Sequence, residues 1–345
     1  MIPFNKPVID VSQQLALLEQ RGLIIKNPEK AAHYLEVISY FRLSAYMRPF
    51  QQPNDDQHRF YPQTEFKQIV ALYAFDRELR LLLLDAIERI EVAIRSMLNI
   101  VMGKKNEDSN KPHSGSHWYL DRQNFKQQYR HSKLLEEFEN IVEKEQQILD
   151  REQQKLLKGR LAEAKKKIIF DLKRRENYCR YYTTKYFPPK LPPGWALIEE
   201  LSLGSLSHLY SGLAEDSDRK AIAQRFNTPQ DKLGSWLHTL TFIRNCCAHH
   251  ARLWNRELSI APALMRDSEW KFPTVLPNSH IQPAKRLYVV ILLIVHLMQQ
   301  VSPNSNWAGM FVMLLNKYPD VPLRNMGFPD DWQQHPFFTE SRNSD

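Results

Sequence analysis

The residues best suited to chemistry lie together in Phe242-Ile243-Arg244-Asn245-Cys246-Cys247-Ala248-His249-His250. An arginine is followed by an asparagine, and a histidine stands five positions after the arginine. On a helix, Asn245 and His249 are four apart and share a face. Arg244 sits one step round, with a side chain long enough to reach the same cleft. This set suits cleavage of an RNA phosphodiester by its own 2′-hydroxyl. That reaction needs a base for the 2′ proton, an acid for the leaving 5′ oxygen and a cation for the charged phosphorane. Histidine moves protons near neutral pH. Arginine grips phosphate oxygens with a permanent, forked charge, and Asn245 can orient either partner. Arg244, Asn245 and His249 are the candidate catalytic residues, and the chemistry calls for no cofactor and no metal.

One histidine can hardly act as acid and base on opposite sides of an in-line displacement, so a second copy of the motif is expected. No other Arg-Asn-x-x-x-His occurs, and Arg42 and Arg48 have no histidine at the matching distance. The expectation is a homodimer whose two motifs face one cleft. A competing reading takes Cys246 with His249 or His250 as zinc ligands at helical spacing, but no second Cys/His pair with metal spacing is present. His250 is read either as a supporting site residue or as a buried structural histidine. Glu88, Glu91 and Arg95 fall within two turns of each other; Glu91 and Arg95 form a surface pair, or one of the acids, Glu88 or Glu91, faces the cleft in a supporting role.

A second feature is charge. The formal net charge is +8 and the pI about 9.2, a balance that favours a polyanionic partner. Between Asp150 and Lys190, thirteen Lys or Arg stand against five Asp or Glu, with the densest runs at Lys165-Lys166-Lys167 and Lys173-Arg174-Arg175. Tyr178, Tyr181, Tyr182, Tyr186 and Phe187 follow. Basic residues beside aromatic rings suit single-stranded RNA, since charge tracks phosphates and rings stack on bases. The alternative is a solvated helical hairpin.

The elements that must position these residues read as helices. Only 10 glycines occur in 345 residues, which argues against Rossmann-type sheets, phosphate loops and all-β designs. The spacing of apolar residues predicts a long helix over 65–102, helical segments within 10–50, one or two charged helices over 132–186, and helices at 195–203, 206–213, 219–226, 233–253 and 284–301. The run His33 to Met47 reads as core packing, 51–63 and 103–117 as loops, 188–194 as a rigid connector, and the tail from Phe328 as packed extended chain. The resulting organisation is an N-terminal helical region (1–64), a helical domain in two parts (65–131 and 188–302), a charged helical insertion (132–187) and a tail on the body (303–345). Three cysteines, no leader pattern at the N-terminus, and a longest apolar run of about twelve residues from Leu287 to Met298 suggest a soluble cytoplasmic protein with no membrane association.

The motif and its flanks, Ser235-Trp236-Leu237-His238 and Ala251-Arg252-Leu253-Trp254-Asn255-Arg256, resemble the Abi family of bacterial abortive-infection proteins. Other segments resemble it too: Lys6-Pro7, Arg21-Gly22-Leu23-Ile24-Ile25, Tyr40-Phe41-Arg42-Leu43-Ser44-Ala45-Tyr46, Pro49-Phe50, Phe75-Asp76-Arg77-Glu78-Leu79-Arg80, Glu88-Arg89-Ile90-Glu91, and Pro192-Pro193 with Trp195, Glu199, Gly204, Leu206 and Ser207. The resemblance implies an all-α HEPN-like helical bundle with the Arg-x4-His ribonuclease motif. It also implies phage defence by growth arrest or the behaviour of a toxin in a toxin–antitoxin pair, restrained by an antitoxin that is itself protein or RNA. A non-catalytic RNA-binding protein, forming a ribonucleoprotein with a small structured RNA, is the alternative.

Overall fold

The longest element, α4 (Phe66–Lys105), organises everything around it. Its apolar residues recur every three or four positions, and Ile69, Leu72, Leu79, Leu83, Ile87, Ile90, Ile94, Leu98 and Met102 are all buried. No glycine interrupts it before Gly103. The Gln68 side chain accepts from the Glu65 backbone N–H at 2.8 Å at its start, and Lys104 and Lys105 face the negative end of the helix dipole.

The computed structural model describes residues 7–111, 113–265, 270–273 and 282–339. About 66% of it is helical, in 14 α-helices with no strand or sheet among the described residues, so the all-α expectation holds. Before α4 come α1 (Val11–Gln20), α2 (Pro28–Ile38) and α3 (Tyr40–Met47). The run from His33 to Met47 is not one helix. Ser39, at φ 80°, breaks it and caps α3 through its hydroxyl. Leu35, Leu43, Tyr46 and Met47 are core, as expected, but Val37 and Phe41 face solvent.

The charged segment forms three helices rather than one or two: α5 (His131–Lys158), α6 (Glu163–Arg175) and α7 (Tyr178–Thr183). Leu134, Phe138, Val142 and Leu149 line one side of α5, whereas α6 buries no residue. The chain returns through α8 (Gly194–Leu197), α9 (Leu203–Gly212) and α10 (Asp216–Gln224) to α11 (Gln230–Ala248). In α12 (Leu287–Val301), every residue from Leu287 to Met298 is buried. It is a core helix; none of the described helices is long and apolar enough to cross a membrane. After α12 come α13 (Trp307–Lys317) and, in the tail from Phe328 expected to be extended, a short helical turn at Trp332–Gln334 and α14 (Pro336–Thr339); Trp307, Phe311, Phe328, Trp332 and Phe338 seal the body. α4 touches α3, α9, α10, α11, α12 and α13, so it is the post on which the candidate motif is mounted.

Candidate functional site

α11 carries Arg244 and Asn245 in its last turn and ends one residue before His249. The sequence suggested helix through residue 253; the structure stops at Ala248 because a Schellman turn closes it. The Ala251 N–H donates to the Cys246 carbonyl at 2.9 Å, and the His250 N–H donates to Cys247 at 3.0 Å. The left-handed position of that turn, φ 55°, is held by His250, where glycine is the easy choice. His249 is the cap residue. It and His250 are both exposed, so His250 is not a buried structural histidine.

A buried charge locks the segment that follows. Asp76, on α4, is fully buried and ion-paired with Arg80 one turn on. Its carboxylate also accepts from the Tyr46 hydroxyl at 2.6 Å, the Trp254 N–H at 2.6 Å and the Leu253 N–H at 3.2 Å. Burial, followed by the neighbouring Asp76 charge, pushes the Tyr46 phenol far above its ordinary value. Three elements, α3, α4 and the chain leaving α11, thus meet on one carboxylate. Arg42 adds a second tie, donating from Nη1 to the His250 carbonyl at 2.5 Å.

Arg244 is half-buried and donates to Asn245 Oδ1 at 3.4 Å. His249 follows Asn245 by one turn as the cap of α11, and their backbones are joined by the 3.0 Å His249 N–H to Asn245 carbonyl bond. Arg244 forms no ion pair with a carboxylate among the described residues. Its charge acts on Glu91 of α4. Burial raises the Glu91 carboxyl, while the guanidiniums of Arg95 and Arg244 pull it back and the nearby Glu88 charge adds to the rise. Glu91 pairs with Arg95, as one reading of the sequence has it, but both side chains are mostly covered rather than on the open surface. Arg95 also donates to the Leu201 carbonyl at 2.8 Å. Glu91 is thus paired with Arg95, as one of the two readings has it, and lies close enough to Arg244 to feel its charge. Glu88 is exposed.

His249 also borders a concavity of about 740 Å³ lined by His250, Arg252, the α3 residues Phe41 and Arg42, and Arg48 just after α3. Arg244 is not in its wall, and no acidic residue among the described residues is. Sequence reasoning names none of these three arginines as site residues, and it misses Asp76. A signal for Asp76 is there to be seen: it falls in register with Leu72, Leu79 and Leu83 on the buried side of α4.

Cys246 and Cys247 are buried, and burial pushes both thiols up, Cys247 to about 12. No group of three or more His, Cys, Asp or Glu side chains able to hold a metal gathers among the described residues. The basic run on α6 is largely neutralised locally. Lys166 pairs with Glu163, Lys173 with Glu176, and Arg174 and Arg175 with Asp171. Lys165 and Lys167 have no ion pair among the described residues. The tyrosines beside the run are engaged as well, with the Arg174 guanidinium 5.3 Å and the Lys185 ammonium 5.0 Å from the Tyr181 ring centre.

Fold and site together describe an all-α protein that presents an Arg-Asn-x-x-x-His helix end on a central helical post. A family model for Abi-like proteins matches residues 33–255, well over half of the chain, and the protein belongs to that family. The match runs from α2 past the motif, and it leaves out the Arg21–Ile25 segment and Lys6-Pro7, of which Lys6 lies outside the described residues. Membership points to abortive infection, a form of phage defence. No curated protein and no solved structure matches the chain.

Proposed function

We propose that this Abi-like protein is a metal-independent endoribonuclease of the HEPN type, acting in phage defence or as the toxin of a toxin–antitoxin pair. The observation that carries the reading is the exposed end of α11. Arg244, without a carboxylate partner among the described residues, is hydrogen-bonded to Asn245, and His249 caps the same helix end one turn later. A guanidinium in that state is available to a phosphate. In the proposed reaction His249 of one protomer takes the 2′-hydroxyl proton as that oxygen bonds to phosphorus, the same histidine of a second protomer protonates the leaving 5′ oxygen, Arg244 neutralises the phosphorane oxygens and Asn245 holds the substrate or the imidazole in line. Glu91, paired with Arg95, adds a nearby negative charge in a supporting role. His250 supports the turn.

A second protomer supplies the opposing histidine. The exposed side of α4 offers a place for it: Leu81 and Val92, three turns apart on one face, are 52% and 46% exposed and bracket Glu88. The non-catalytic ribonucleoprotein reading shares the basic surface and differs only in yielding no product. The local pairing of four of the six basic residues on α6 weighs against making that helix the principal RNA contact.

The test is cleavage of RNA in EDTA-containing buffer by the purified protein, with wild type compared with His249→Ala and Arg244→Ala. Loss of a proton-transfer group is expected to cost about 10²–10⁴-fold in rate, and wild-type products should carry 2′,3′-cyclic phosphate and 5′-hydroxyl ends. Cleavage that His249→Ala leaves unchanged would sink the proposal.

A further inference from the structure

The concavity beside His249 has features that the Arg-Asn-x-x-x-His chemistry does not use. Three arginines, Arg42, Arg48 and Arg252, line it together with His249 and His250 and, among the described residues, no acid. Arginines elsewhere in the fold commonly have carboxylate partners, as Arg59, Arg80, Arg89, Arg95, Arg180 and Arg324 do. These three have none among the described residues. Like charges gathered without a counter-charge repel one another, and binding an anion relieves that repulsion. Arg42 is held in place by its bond to the His250 carbonyl, so its fork is presented at fixed geometry, the arrangement that suits bidentate capture of phosphate.

Phe41 is the second observation, independent of charge. It sits at the same concavity, 88% exposed, at the start of a helix whose neighbouring residues Leu43, Tyr46 and Met47 are buried. A phenyl ring left in water gains nothing for the fold. Beside an arginine cluster it forms a platform for a nucleobase, since ring-on-base stacking is insensitive to sequence and pairs naturally with backbone contacts from Arg.

We propose that Phe41, Arg42, Arg48 and Arg252 form a nucleotide-binding subsite for single-stranded RNA, stacking one base on Phe41 and holding the adjoining phosphate on the guanidiniums, so that the strand runs on to His249. This rests on the reading of the motif as an RNA-handling site and adds where the flanking strand lies. The N-terminal helix α3 becomes part of substrate binding, and the motif end of α11 becomes one border of a longer track.

The experiment measures binding rather than turnover. Fluorescence anisotropy gives the Kd of a 5′-labelled, uncleavable 2′-O-methyl dodecamer at several salt concentrations for wild type, Phe41→Ala, Phe41→Trp and the double variant Arg48→Ala/Arg252→Ala. Phe41→Ala is expected to weaken binding about 5- to 150-fold, the size of one missing base stack, with Phe41→Trp restoring it. The double variant should flatten the plot of log affinity against log salt by about 0.7 for each phosphate that is no longer neutralised. Phe41 and Arg48 are exposed, so their truncation leaves the core intact, and circular dichroism checks this. Unchanged Kd and salt slope in Phe41→Ala and the double variant would overturn the subsite. So would competition by a polyglutamate peptide as strong as that by RNA, which would make the cluster a protein-docking site. The two proposals fail separately: weakened binding by a protein that cleaves nothing leaves the subsite standing, and His249-dependent cleavage with unaltered binding leaves only the nuclease.

Discussion

The carboxylate of Asp76 offers the sharpest test of how the site is held. Replacing it with asparagine keeps the shape and removes the charge. In the native protein, Arg80, the Tyr46 hydroxyl and the N–H groups of Leu253 and Trp254 all donate to Asp76. An amide has one oxygen. Whichever way it is turned, its NH₂ group faces donors, either Tyr46 and Arg80 or the two backbone N–H groups. At least one buried donor is left unsatisfied, at about 1–3 kcal/mol, and the buried guanidinium of Arg80 loses its counter-charge, an event that by itself typically costs about 3–5 kcal/mol. These costs overlap, and the expected loss is about 3–5 kcal/mol. It should appear in urea unfolding as a lower midpoint at an unchanged slope. A second substitution, Arg80→Met, should recover part of it in the double variant, because the stranded charge is then gone. A loss below about 1 kcal/mol for Asp76→Asn, or a double variant no better than the single, would refute the view of this carboxylate as the joint between α3, α4 and the end of α11.

Two further expectations concern stability. His117, His296 and His335 are buried, and burial lowers their basicity while each ring bonds a carbonyl, at 3.0 Å to Leu191, 3.2 Å to Phe226 and 2.9 Å to Trp270. The unfolded chain takes up these protons near pH 6.5 and the folded one only at lower pH, so this contribution is fully present above about 6.5 and falls away below it, by up to about 1.4 kcal/mol per pH unit for each histidine. A urea midpoint that is the same at pH 7.5 and 5.5 would contradict this. His250→Gly should stabilise by about 0.5–1 kcal/mol, because the φ of 55° suits glycine; a fall in the midpoint would show that the imidazole itself anchors the turn.

What the sequence disclosed and what it hid follow from the range of the forces involved. α4 and α12 are legible because their apolar residues keep a helical period or an unbroken run, both local properties. The end of α11 is not, since apolar and polar residues continue in a helix-compatible pattern through Leu253. What stops the helix is a turn with histidine in the glycine position, backed by Asp76 from 177 and 178 residues away. Arg244, Asn245 and His249 are found by their spacing. Arg42, Arg48 and Arg252 have no spacing to find, because the fold alone brings α3 to the end of α11. Glu91 admits two roles in sequence because a helix register fixes which residues pair but not what a second helix lays over them. The tail from Phe328 reads as extended from its prolines and aromatics, yet it makes short helical turns at Trp332–Gln334 and Pro336–Thr339, too brief to leave an apolar period in the sequence.

The joint at Asp76 also has a meaning in time. The carboxylate is synthesised early, and two of its partners, the N–H groups of Leu253 and Trp254, emerge 177 and 178 residues later. At about 5–20 residues per second, that is roughly 10–35 s during which α4 exists without the segment that sets the end of α11. Until then Arg42 has no His250 carbonyl to hold. A nascent chain of this protein carries its central helix long before it carries a formed cleft, and the motif end takes its shape only once the segment after it has been made.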